Sequence, residues 1–129
     1  MAILEFPSDC GNAPRKLLLK KFCTMLVHGD AGAVAECLHE DAVWHIAGFE
    51  ESEGLSRITA NLLRHPLWKA TELRVDTMIT PGRAAAASGR ALTAEGDRIR
   101  FCDLYRFKSA GSNQIVIPDG WNLQPNTSL

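Results

Sequence analysis

From Thr71 onward the chain changes its period. The segments TELRVDTMIT, RAAAASGRALT, RIRFCDLYRF and QIVI alternate apolar and polar positions, and Pro81-Gly82, Glu95-Gly96-Asp97 and a loop from Ser109 to Asn113 separate them. Period-two segments joined by short turns predict consecutive antiparallel strands. The alanines at 84–87 would also suit a helix, but the flanking Pro81-Gly82, the internal Gly89 and the regular spacing favour a strand. Upstream of this region the period is helical. Helices in series followed by strands in series specify an α+β fold, because a parallel α/β sheet needs the two to alternate.

The helical part divides into three. Pro14 suits a first helical turn, Leu18, Phe22, Met25 and Leu26 follow at helical spacing, and Gly29 supplies a stop. Asp30 can cap a second helix, DAGAVAECLHED, with Ala31, Val34, Cys37 and Leu38 on its inner face. AVWHIAG reads as a strand and FEESEG as a polar loop. LSRITANLLRH then reads as a third helix ended by Pro66. We expect one domain over 1–129, with 1–12 and 125–129 as less ordered ends and part of PDGWNLQPNTSL completing the last strand.

Charge narrows the function classes. Fourteen basic and fifteen acidic residues leave a formal charge of −1, with no basic stripe to attract nucleic acid. No apolar run approaches the ~20 residues of a membrane helix, and the N-terminus lacks a signal-peptide pattern. Cys10, Cys23, Cys37 and Cys102 have no metal-ligand spacing. Cys23, Cys37 and Cys102 read as small buried hydrophobes. The expectation is a cytoplasmic protein with no metal, no cofactor, and no nucleic-acid or membrane partner.

Asp103 interrupts the pattern. In RIRFCDLYRF it stands in the row Ile99, Phe101, Tyr105, Phe107, so a strict period of two turns a carboxylate inward among aromatic side chains. Three readings follow: solvated or paired with Arg90 or Arg100, a buried structural acceptor, or a pocket acid whose pKa the apolar wall raises. His45 is the imidazole best suited to act as a base. His28, His39 and His65 read as structural, near helix ends or on polar faces. Trp44, Trp68 and Trp121 read first as core, and Asp119 as a turn residue.

Taken together, the HGD that ends the first helix, the HEDAVW segment, and a meander that ends in RF, a loop and a strand resemble the NTF2-like superfamily, in its SnoaL-like and ketosteroid-isomerase-like branch, from about Pro14 to Leu123. The resemblance implies an NTF2-like cone: a curved antiparallel sheet with three N-terminal helices enclosing a deep apolar pocket, and a homodimer. DLYRFKSAG resembles the isomerase strand whose aspartate donates to the oxyanion, which places Asp103 at that acid. His45 falls where the isomerase has its aspartate base, and Phe22 where it has a tyrosine donor. A true steroid isomerase is therefore not expected, since one oxyanion donor is worth roughly 3 kcal/mol of transition-state stabilisation.

The implied function is a small cofactor-independent enzyme of isomerase, cyclase or hydrolase type. It would act on a hydrophobic carbonyl-containing molecule, with Asp103 and His45 as the catalytic pair and Phe22, Trp44, Phe101 and Tyr105 lining the pocket. The alternative is a non-catalytic ligand-binding or scaffold module of the same fold.

Overall fold

A computed structural model of the chain describes residues 2–7, 14–46, 52–80, 82–107 and 115–123, apart from the side chains at 45, 46, 52 and 116–123. Helix α1 (Pro14–His28) buries Leu19, Phe22, Cys23, Leu26 and Val27 along one stripe. It stops at Gly29, whose φ of 75° suits a residue without Cβ; the Gly29 and Asp30 amides donate back to the carbonyls of Leu26 and Met25. The carboxylate of Asp30 then accepts from the amide of Ala33 at 3.0 Å and caps α2 (Ala31–Glu36).

That second helix is shorter than the sequence suggests. Cys37 and Leu38 leave it because Leu38 bridges Ile115: the amide of Ile115 donates to Cys37 O at 2.9 Å, and the amide of His39 donates to Ile115 O at 2.8 Å. Val34, Cys37 and Leu38 are nevertheless all buried. The third helical segment, α3 (Leu55–Asn61), tightens into a 3-10 turn at Leu62–Arg64 just before Pro66.

The strands are β1 (Ile3–Glu5), β2 (Val43–Ile46), β3 (Ser52–Glu53), β4 (Glu72–Ile79), β5 (Ala84–Leu92), β6 (Arg98–Phe107) and β7 (Ile115–Leu123). They form one sheet in the order β1-β4-β5-β6-β7-β2-β3. The expected antiparallel meander is its centre, β4 to β7, and the alanine-rich segment is a strand. The edges differ from expectation: β1 joins β4 and β2 joins β7 in parallel, and β3 arises in the stretch read as a loop. Asp119, expected in a turn, has its backbone inside β7. Cys10, the Ser109–Asn113 loop and residues 125–129 lie outside the described residues.

One core cluster joins the helices to the inner row of the sheet. Burial alternates strictly along β6, so Ile99, Phe101, Asp103, Tyr105 and Phe107 face inward and Arg98, Arg100, Cys102, Leu104 and Arg106 face out. Cys102 is therefore exposed, which corrects its reading as a buried hydrophobe; Cys23 and Cys37 are buried free thiols. On β5 the inward positions are Ala85, Ala87, Gly89 and Ala91, so the smallest side chains lie opposite the largest of β6. Gly89 is needed for a close approach. A Cβ there would lie 2.0 Å from the carbonyl oxygen of Arg74, beside the irregularity between Val75 and Thr77.

Candidate functional site

Asp103 is only 6% exposed. Its cross-strand neighbours are Ala87 on β5 and Gly120 on β7, so neither flank offers a charge or a bulky group. Arg90 and Arg100 point to the opposite face, which removes the reading in which they neutralise it. The polar partner seen among the described residues is Tyr105, whose hydroxyl donates to Oδ2 at 3.3 Å. That is long for an O–H···O bond, and it offsets little of the cost of removing the anion from water. Burial consequently pushes the carboxyl up from 3.8 to about 7, with the tyrosine hydrogen bond pulling the other way.

Tyr105 links this carboxyl to α1. Its oxygen lies 3.9 Å from the Sγ of Cys23. Since the phenol has one proton and gives it to Asp103, the thiol is the donor in that contact. Burial, then the charge of Asp103, pushes the Cys23 thiol up to about 12, so it stays protonated. Phe22 stands edge-on to the Tyr105 ring at 5.8 Å and tilted against Trp44 at 5.5 Å. Trp44 in turn meets the edge of His65 at 5.2 Å. The helix, β2, β6 and the turn before β4 thus each contribute one member to a continuous row of buried rings beside a protonatable carboxyl.

The structure therefore brings together Asp103, Tyr105, Phe22 and Trp44, with Phe101 one inward step along β6. For His45 the structure describes the backbone alone. Backbone register pairs His45 with Asp119, and Asp119 with the outward Leu104, whereas the row of Asp103 continues through Gly120 to Ile46.

The greater part of helix α1, the whole ring cluster and strands β4, β5 and β6 fall within residues 19–116, which match the model of the family described as SnoaL-like domain. The chain belongs to that SnoaL-like family. Solved structures similar to this SnoaL-like domain include an NTF2-like protein of unknown function from Burkholderia xenovorans, at 15% identity over 90% of this chain and 88% of that one, with a TM-score of 0.75. A protein from Kribbella flavida named for ketosteroid isomerase shares 15% identity over 90% and 82%, TM-score 0.70. The epoxide hydrolase/cyclase-like enzyme SalBIII, of pyran ring formation in the polyether salinomycin, shares 16% over 88% and 93%, TM-score 0.67. At such identities the likeness establishes the NTF2-like α+β fold and leaves the reaction open. No curated protein matches the sequence.

His65 is the residue that the sequence of this SnoaL-like domain misplaces. Instead of carrying a positive charge near a helix end, it is 6% exposed, its Nδ1 accepts from the amide of Leu67 at 3.0 Å, and burial lowers its pKa from 6.5 to about 4. It is thus neutral, with its proton on Nε2. The Pro66 immediately after it holds His65 in an extended backbone conformation, a local signal that ends the helical segment and says nothing of which way the imidazole faces. The indole of Trp68 has no hydrogen-bond partner for its buried N–H among the described residues.

One consequence of the Tyr105 contact is measurable. Because the phenol stabilises the ionised carboxylate, Tyr105→Phe should move the Asp103 titration higher still, well above the ordinary carboxyl range. Carbon-detected NMR of the side-chain carboxyl against pH reads this directly. A downward move, or none, would show that the 3.3 Å contact carries no energy.

Proposed function

We propose that this SnoaL-like domain is a small cofactor-independent enzyme that moves a proton next to the carbonyl of a hydrophobic small molecule, with Asp103 as the acid–base group. The observation that supports it most is the buried carboxyl held near neutrality by its apolar surroundings, since proton transfer is most efficient when the group's pKa lies near the working pH. In the proposed step the ionised fraction of Asp103 takes the proton from the carbon beside the carbonyl. The C–H electron pair moves into the carbonyl, leaving an enolate. In a substrate with a β,γ double bond, return of the same proton to the γ carbon of the conjugated dienolate completes an isomerisation; attack of the enolate carbon on a second carbonyl, whose oxygen then takes the proton from Asp103, completes an aldol-type cyclisation. Flanking by Ala87 and Gly120 leaves the carboxyl laterally uncrowded.

Hydrogen–deuterium exchange separates this step from whatever follows it. A panel of apolar ketones in D2O should show enzyme-dependent exchange beside the carbonyl. Asp103→Asn, which keeps the shape and cannot take a proton, should reduce it by about 10²-fold or more. His45→Ala should leave exchange within about twofold; a loss matching that of Asp103→Asn would overturn the single-carboxyl form. Ligand binding without exchange across the panel would favour the second reading, a binding module, for which the loss of a hydroxyl at Phe22 is the supporting observation.

A further inference from the structure

The outer face of the sheet carries a second feature, unrelated to the interior. Arg74, Arg90 and Arg100 are direct cross-strand partners on β4, β5 and β6. Arg98 lies two residues before Arg100 on the same face, opposite Leu92, which is itself opposite Glu72. Together these side chains line a groove of about 280 Å³. Like charges directly opposite each other on neighbouring strands repel, and the chain as a whole is slightly acidic, so four arginines here are a local reversal of its average.

Their neutralisation is uneven. Arg74 is paired twice, with Glu5 on β1 and with Glu72. Arg90 has one loose partner, Asp76 at 3.9 Å. For Arg98 and Arg100 the described residues supply no carboxylate within ion-pair distance. The positive charge is therefore concentrated at the β6 side of the groove, where two planar guanidinium forks on one strand face a third across the register.

We propose that the Arg90, Arg98 and Arg100 end of this groove binds a multiply charged oxyanion of the phosphate type, either free or as part of a small phosphorylated molecule or lipid headgroup. Guanidinium groups bind phosphate oxygens in bidentate fashion where a lysine would act only as a point charge. A concave surface whose charged lining is mainly cationic, with Glu72 as its one carboxylate among the described residues, raises the local concentration of such an ion. The groove lies at the small end of the range of ligand pockets. Its size fits a phosphate group with a short attachment, and leaves little room for a macromolecular segment. Glu72, at the Arg74 end, keeps the anion toward β6.

The test titrates inorganic phosphate into the full chain at constant ionic strength, held with sodium chloride, and follows the backbone amides of residues 90–92 and 98–100 together with the arginine Nε–H signals. A saturable shift confined to those positions is expected. Arg98→Gln or Arg100→Gln should weaken phosphate binding about tenfold each, and Arg100→Lys should recover only part of it. Both positions are exposed, and an unchanged inner-row spectrum checks that each variant keeps its fold. Shifts that chloride reproduces, or affinity unchanged in both glutamine variants, overturn the proposal. Vesicles of phosphatidylcholine with phosphatidic acid distinguish the sources: co-sedimentation lost in the Arg98→Gln, Arg100→Gln double variant identifies a headgroup, and saturable phosphate binding without co-sedimentation identifies a soluble phosphate compound.

Discussion

Asp103→Asn should unfold at higher urea than the parent protein at pH 8 and at nearly the same urea at pH 4. The sign follows from proton linkage. Asp103 titrates near 7 when folded and near 3.8 when unfolded, so between those values the folded state holds the extra proton. Its contribution to stability is complete below about pH 4 and is lost as the pH rises through 7. By pH 8 the parent has given up on the order of 4 kcal/mol that the asparagine variant retains. His65 works in the opposite direction. Its folded pKa is about 4 against 6.5 unfolded, so its contribution is complete above about pH 6.5 and is lost as the pH falls toward 4. The two slopes oppose each other from pH 4 to 6.5, and the parent's stability should be nearly flat there and decline through pH 7. The asparagine variant should show the histidine limb alone, climbing by roughly 3 kcal/mol between pH 4 and 6.5. Urea midpoints at half-unit pH intervals measure both profiles, and a variant that tracks the parent at every pH would show that burial does not perturb this carboxyl.

The same two groups mark what a linear sequence discloses. Asp103 was legible because period two is a local property: the four inward residues Ile99, Phe101, Tyr105 and Phe107 announce the face on which position 103 must lie, and its burial follows that parity. The short stops at Gly29 and Pro66, the cap at Asp30 and the small-residue strand at 84–92 are local in the same sense. His65 was not legible, because whether a histidine after a 3-10 turn faces water or Trp44 depends on where β2 lies, and β2 is positioned by a strand at the far end of the chain. The partnership expected of His45 depends on the same long-range information. Matching it to the isomerase's base aligns sequence positions, whereas the facing side is decided by the register of β2 on β7, which no local pattern records. β1 went unplaced because three residues carry too little periodicity to signal a strand.

Gly89→Ala should cost roughly 3 kcal/mol or more, although it adds one methyl group to a strand. The obstacle is backbone. The new Cβ would sit 2.0 Å from the Arg74 carbonyl oxygen and 2.9 Å from both the Arg74 carbonyl carbon and the Val75 Cα, so no side-chain rotation can relieve it. Strands β4 and β5 would have to separate or shift register at the irregularity beside Val75, and a one-residue slip would exchange the inner and outer faces of β4. The consequence would reach both sites, because Gly89 lies opposite Phe101 on β6 and one residue from Arg90. A lowered urea midpoint at unchanged slope is the expected result. A shift within about 0.5 kcal/mol, the ordinary range for a surface substitution, would mean that the two strands are free to spread at this point.

The parallel attachment of β2 to β7 also orders events in time. His45 and its register partner Asp119 are separated by roughly seventy residues of chain, whereas β4, β5 and β6 meet through short turns. The meander can therefore condense early, whereas β2, paired locally with the two-residue β3 alone, cannot join the main sheet until the last strand has been laid down against β6. Closing that long loop late should make docking of β2 the slow phase of refolding. On a ribosome, Trp44 would wait as an exposed aromatic through most of synthesis, and the ring row beside Asp103 would be the last part of the molecule to come into being.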